Sequence, residues 1–230
     1  MPQKLLLLHG ALGSREQFKL LLPLLSDRAS VFSINLEGHG PSPTVNRPFR
    51  IQYFAENILH WMDTYQHRQI DIFGYSMGGY VALYLALHHP ERVGKIFTLG
   101  TKYFWNRENA QAEIQNLQPD TLLAKVPAFA DILKWRHSPN DWKEVVTKTA
   151  ELIQYLSAHP EVNTLELARI QNRIRIGVGD IDRMVSIEES DRLRHKLPNA
   201  ELMVLPNTPH PIDKVAIPKL SFYIKEFFEH

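Results

Sequence analysis

The sequence predicts an α/β protein: a mostly parallel six-stranded sheet with helices on both faces and one helical insertion. Three observations predict it. Short β-branched, leucine-rich or aromatic runs recur near 4–8, 30–35, 69–73, 95–99, 173–178 and 201–205. Helical stretches alternate with them, which implies parallel strands joined by helical crossovers. The stretch Gly74-Tyr75-Ser76-Met77-Gly78-Gly79 sits where one such strand meets one such helix. The interval from Lys102 to Ile170 breaks the rhythm with helical patterns alone.

In chain order, Leu5–Leu8 is the first strand and runs directly into His9-Gly10. Ser14-Arg15-Glu16-Gln17 reads as a capping box, followed by Phe18, Leu21, Leu22 and Leu25 at helical spacing. The second strand, 30–35, leads to Gly38-His39-Gly40-Pro41-Ser42. Ile51, Phe54, Ala55, Ile58, Leu59 and Met62 form the stripe of the next helix. Gln69–Phe73 is then a strand and Tyr80–Leu87, rich in Ala and Leu with no Gly or Pro, a buried helix. Lys95–Leu99 follows as a strand.

The insertion reads as helices over Arg107–Leu117, Pro119–Lys125, Phe129–Trp135, Trp142–Ala158 and Thr164–Gln171, with Pro119, Pro127, Pro139 and Pro160 as breaks. After the strand at 173–178, Ser186-Ile187-Glu188-Glu189 reads as another capping box. The chain then gives a strand at 201–205 and a closing helix of about 218–228, with Leu220, Ile224, Phe227 and Phe228 inward.

Two glycines spaced G-x-S-x-G let a strand turn sharply into a helix and hold the serine between them at the tip, the setting of a nucleophile. A serine hydroxyl needs a base, an orienting acid and donors for the oxyanion. Downstream, Gly179-Asp180-Ile181-Asp182 follows one predicted strand and His210 follows the last. His210 is one of eleven histidines and shares its place beyond the last strand only with His230. Asp180 and Asp182 lie on one short loop, so spacing alone leaves both open as the acid.

These pieces together resemble the α/β-hydrolase fold family. Leu5–Leu8 ending in His9-Gly10, Gly38-His39-Gly40-Pro41-Ser42, the serine turn, His89-Pro90-Glu91-Arg92-Val93 and Gly179-Asp180-Ile181-Asp182 come in the family's order and span nearly the whole chain. The resemblance implies a Ser…Asp…His triad of Ser76 as nucleophile, His210 as base and then acid, and Asp182, chosen over Asp180, orienting the imidazole. It implies an oxyanion hole of the Ala11 and Met77 amides, and bracing roles for His9 and His39. The family pattern has Gly before the histidine, whereas Pro209 and Pro211 bracket His210 here. Because no strand precedes Leu5–Leu8, the expected sheet is a minimal one. The resemblance also makes 1–102 and 171–230 the hydrolase core and 103–170 a cap. Three of four tryptophans (Trp105, Trp135, Trp142) fall in that cap, and Tyr103, Phe104, Trp105 and Trp135 are its candidate substrate contacts.

A chain of 230 residues, 44% hydrophobic, can bury one sizeable core. Its net charge of +1 is scattered, with no basic stripe, so a small-molecule substrate is expected and nucleic acid is not. Zero cysteines exclude disulfides, thiolate metal sites and a cysteine nucleophile. The histidine spacing suggests no metal, and no cofactor is expected. The leucine run is too short for a signal h-region or membrane span, so the expectation is a cytoplasmic monomer or weak homo-oligomer.

The function expected is cleavage of an ester or thioester of a small, mainly apolar acyl group, a carboxylesterase-like reaction. A carbon–carbon bond hydrolase stays open, since the resemblance gives it the same triad. So does a lyase like the menaquinone-pathway synthase, although that enzyme carries an arginine where this chain has Tyr80. A ligand-binding or signalling protein that keeps the fold without turnover is the alternative of another class.

Overall fold

The computed structural model describes residues 3–26 and 29–229; Met1, Pro2, Asp27, Arg28 and His230 lie outside the described residues. The main elements are β1 (Gln3–Leu8), α1 (Leu22–Leu25), β2 (Ala29–Ser33), α2 (Ile51–Thr64), β3 (Ile70–Tyr75), α3 (Met77–His88) and β4 (Val93–Leu99). Then come α4 (Arg107–Asn116), α5 (Pro119–Lys125), α6 (Pro127–His137), α7 (Trp142–Ala158), β5 (Ile174–Gly179), α8 (Ile187–Arg194), β6 (Ala200–Leu205) and α9 (Ile217–Glu229). The six strands form one sheet in the order β2-β1-β3-β4-β5-β6, and every neighbouring pair is parallel.

Strand alternation sorts the core into two layers. Leu6 and Leu8 of β1 pack with Ile72, Ile96 and Ile176 under α2 and α3. Leu5 and Leu7 pack on the opposite face with Phe73, Phe97, Phe18 and the Leu220, Ile224 and Phe227 stripe of α9. A strand segment with side chains buried on both faces must be apolar, which is why β1 is all leucine from Leu5 to Leu8. The chain leaves β1 for β2 on one side and returns to β3 on the other. The carboxyl ends of β1 and β3 therefore flank the crevice where the strand order reverses, the place in open α/β sheets where ligands bind.

The structure corrects three local expectations. Ser14 does cap a turn, accepting from Glu16 N–H, but the turn is a short 3-10 helix at Arg15–Phe18 and Gln17 does not reach back to Ser14. Gln17 Oε1 instead accepts from Gly10 N–H at 3.3 Å, tying the turn to the loop after β1. Ser186 caps α8 through Glu189 N–H, but the Glu189 carboxylate turns away to Lys102, Tyr103 and Phe104. Thr164–Gln171 holds a single 3-10 turn, Leu167–Arg169, because burying Leu167 and Ile170 needs only that spacing before the chain enters β5.

Candidate active site

The serine turn is built from close backbone approach. Ser76 has φ 51° and ψ −117°, a strained conformation for a residue with a side chain. A Cβ on Gly74 would lie 2.6 Å from the Gly78 carbonyl, and one on Gly78 would lie 2.3 Å from the Leu8 carbonyl oxygen, so neither position accepts a side chain. The strained residue is held from the end of β4 and the segment just beyond it: Ser76 N–H donates to Leu99 O at 2.8 Å and Thr101 Oγ1 donates to Ser76 O at 3.0 Å. Met77 opens α3, so its N–H belongs to the helix end whose donors lack intrahelical acceptors.

The Asp182 side chain is 2% exposed, and its two oxygens are divided by function. Oδ1 accepts the N–H groups of Met184 and Val185, at 2.8 and 2.9 Å. Oδ2 lies 2.8 Å from His210 Nδ1. Gly100, at φ 60°, abuts this pair: a Cβ there would sit 3.2 Å from both Asp182 Oδ2 and His210 Nδ1. Asp180, the other acid of the loop, faces elsewhere. Its Oδ1 accepts Thr208 N–H at 3.1 Å, and amides of Asn207 and Thr208 hold its carboxyl below the usual range. Asp180 thus shapes the loop that carries His210. Tyr75, the residue before the serine, donates its phenol to His210 O at 3.1 Å and lays its ring against the imidazole. The proline-bracketed loop therefore delivers the imidazole to Asp182 with the backbone of His210 pinned.

Ser76, Met77, Ala11 and His210 all line one cavity of about 320 Å³. Its walls are mainly apolar, including Ile51, Leu122, Leu152, Ile153 and Leu156, and the insertion between β4 and β5 supplies most of them. Of the four aromatic residues expected to touch substrate, Trp105 is in the wall and three are not. Tyr103 is buried, stacked on Tyr80, with its phenol donating to Val162 O at 2.6 Å. Phe104 turns out beneath the Arg192 guanidinium, 3.6 Å from its ring centre. Trp135 is 70% exposed on α6. Tyr103 and Phe104 lie on the segment between β4 and α4 whose cavity position is taken by Trp105, and α6 gives the wall Phe129 in place of Trp135. Sequence reasoning missed Tyr80, Glu113, Asn116 and the Leu152, Ile153, Leu156 patch; only the last carried a signal, as the apolar stripe of α7. Among the described residues, no three His, Asp or Glu are grouped to hold a metal, and no helix is long and apolar enough to cross a membrane.

Beneath Ala11 lies a buried histidine cluster. His9 accepts Leu36 N–H at Nε2 (3.1 Å), so its proton is on Nδ1 and donates to Gly10 O at 2.8 Å. His137 of α6 accepts Gly40 N–H at Nδ1 and donates from Nε2 to Leu12 O, joining the insertion to the loops after β1 and β2. His39 sits between them, with ring centres 5.1 Å from His9 and 5.9 Å from His137. Burial lowers His9 and His137 to about 4, with Arg136 adding to the shift and carbonyls opposing it. His39 is pushed well below its ordinary value by burial and by His9. These rings protonate more readily in the unfolded chain, at about pH 6.5. Their stabilising effect is therefore complete above pH 6.5 and lost as pH falls toward 4, on the order of 3 kcal/mol for each of His9 and His137. Urea unfolding at fixed temperature should show stability already falling between pH 6.5 and 5, before carboxylates protonate; a flat profile there would contradict the neutral cluster.

The match to known proteins follows the same map. A model of the alpha/beta hydrolase fold matches residues 4–133, more than half of the chain. The chain belongs to the α/β-hydrolase fold family. Within it, a pimeloyl-[acyl-carrier protein] methyl ester esterase of Neisseria meningitidis is 42% identical over 91 residues, 40% of this chain and 33% of the relative. The first of these matches thus span about a third of the relatives' length. An uncharacterised hydrolase of Bacillus subtilis is 24% identical over 249 aligned residues, covering 99% of this chain and 90% of that protein. Among solved structures, an alpha/beta hydrolase enzyme from a Medee basin deep-sea metagenome library superposes with TM-score 0.84 at 15% identity, covering 100% of this chain and 90% of that one.

Proposed function

We propose that this family member is a serine hydrolase that cleaves an ester or thioester of a small, mainly apolar acyl substrate, with 103–170 acting as its cap. The observation that carries the reading is the His210 Nδ1 to Asp182 Oδ2 contact of 2.8 Å in a loop that opens on the same cavity as Ser76. With Asp182 accepting the Nδ1 proton, Nε2 of His210 is the free base. It takes the Ser76 proton as Oγ attacks the substrate carbonyl. The N–H groups of Met77 and Ala11 donate to the oxyanion, and their directions are set by α3 and by the His9-braced loop before the reaction begins. His210 then protonates the leaving group, and water repeats the sequence on the acyl-enzyme.

The apolar wall supports an apolar acyl group, and a cavity of about 320 Å³ supports a small one. The name of the Neisseria relative, a methyl ester esterase, agrees with an ester as the bond cleaved. With p-nitrophenyl esters of increasing chain length, kcat/KM should rise roughly threefold or more per added methylene while the cavity fills. It should then fall once the chain outgrows it. A rate indifferent to chain length would contradict binding of the acyl group in this cavity.

A further inference from the structure

Lys102, Glu113 and Asn116 line the cavity together with His210, and the charges of His210 and Lys102 both act on Glu113, so these groups lie near one another. Their charges do not cancel. The Lys102 ammonium lies 3.2 Å from Glu189 Oε2 and also donates to Met184 O, so its charge is matched by Glu189. Glu189 in turn accepts the N–H groups of Tyr103 and Phe104, at 3.2 and 3.1 Å, and is committed to holding that segment. Glu113 is left over. It is partly buried, and its carboxylate has no hydrogen-bond or ion-pair partner among the described residues. It stands three residues before Asn116 on α4, so the two occupy the same helix face toward the cavity. Burial raises its carboxyl, while His210 and Lys102 act in the opposite direction.

A half-desolvated carboxylate without a partner costs free energy that a cationic ligand group would offset. The apolar wall and the unmatched charge together define a substrate with two ends. We infer that Glu113 is a cation-recognition subsite, and that the preferred substrate joins an apolar acyl group to an alcohol bearing a protonated amine. The alcohol is assigned to this end because His210, which delivers the proton to the leaving group, shares it. The inference rests on the hydrolase reading above and adds the substrate's charge to it. An anionic leaving group would meet repulsion at the same place, and a neutral one would leave Glu113 unmatched.

The test uses three butyrate esters that differ in the alcohol: 2-(dimethylamino)ethyl, 3-methylbutyl and carboxymethyl, cationic, neutral and anionic at pH 7. For the wild type, kcat/KM should favour the cationic ester over the neutral one by about tenfold or more, the effect of one hydrogen bond to a charged group. Glu113→Gln should bring the two within about twofold of each other, chiefly by slowing the cationic ester, and raise the anionic one. Equal wild-type rates on the cationic and neutral esters would overturn the inference. So would a Glu113→Gln variant that slows all three esters equally, because the charge would then be acting on His210 and not on substrate. Calorimetric titration of the same esters into Ser76→Ala reads the subsite without turnover. Tighter binding of the cationic ester there, with no cleavage by the wild type, would sink the hydrolase reading alone; equal affinities would sink this one.

Discussion

Ser76→Ala is expected to abolish ester turnover, by a factor of about 10⁴ to 10⁶ in kcat, while leaving the fold intact. The size follows from the role proposed for the residue: without Oγ no acyl-enzyme can form, and only the proposed oxyanion donors and binding would remain. The fold should tolerate the change because the position is strained for any side chain. Ser76 already carries a Cβ at φ 51°, and its backbone is held by Leu99 and Thr101 through main-chain atoms that alanine keeps. Thermal unfolding of the variant should therefore match the wild type or lie slightly higher. A variant that retains more than about a hundredth of the wild-type rate would remove Ser76 from the reaction.

Asp182→Asn should cost about 10⁴ in kcat, far more than the loss of one charge at a distance, because of how the two oxygens are committed. Met184 and Val185 both donate to Oδ1, so that atom must remain an acceptor. An asparagine would keep its carbonyl there and swing its amide NH₂ into the place of Oδ2, facing His210 Nδ1. The imidazole would then accept at Nδ1 and carry its proton on Nε2, where it must be a base. The variant should bind substrate with nearly unchanged KM and fail in the chemical step. Asp180→Asn is the control: its carboxylate accepts backbone N–H groups, Thr208's at Oδ1, which an asparagine carbonyl also accepts, so the rate should stay within about threefold. Near-equal losses in the two variants would mean that the acid has been misassigned.

Much of this was legible in the sequence because backbone sterics and strand burial leave strong patterns. The leucines of β1, the glycines at 74 and 78 and the order of Ser76, Asp182 and His210 each reflect a constraint that only a few residue types satisfy. The two capping boxes were half legible. Ser186 makes the local bond that spacing predicts and Ser14 caps one residue earlier, at Glu16 N–H, but Gln17 and Glu189 find tertiary partners instead, and those partners are invisible from three residues away. The aromatics of the insertion were the hardest. Tyr103, Phe104 and Trp135 look like substrate contacts by composition, yet the path of the segment after β4 and the direction of each helix decide which side chains face Ser76. That direction gave the wall to Leu152, Ile153, Leu156 and Glu113. A bracketed His210 was readable as a departure from pattern; that Tyr75 would pin its carbonyl was not.

Whether Ser76 is an activated nucleophile is tested most directly by labelling with a fluorophosphonate, which needs no knowledge of the substrate. The labelled site is mapped by mass spectrometry in the wild type and in His210→Ala. Stoichiometric modification of Ser76 is expected in the wild type, and its loss in His210→Ala. An unlabelled Ser76 in a folded wild type, or a label that persists without His210, would contradict the proposed role of Ser76.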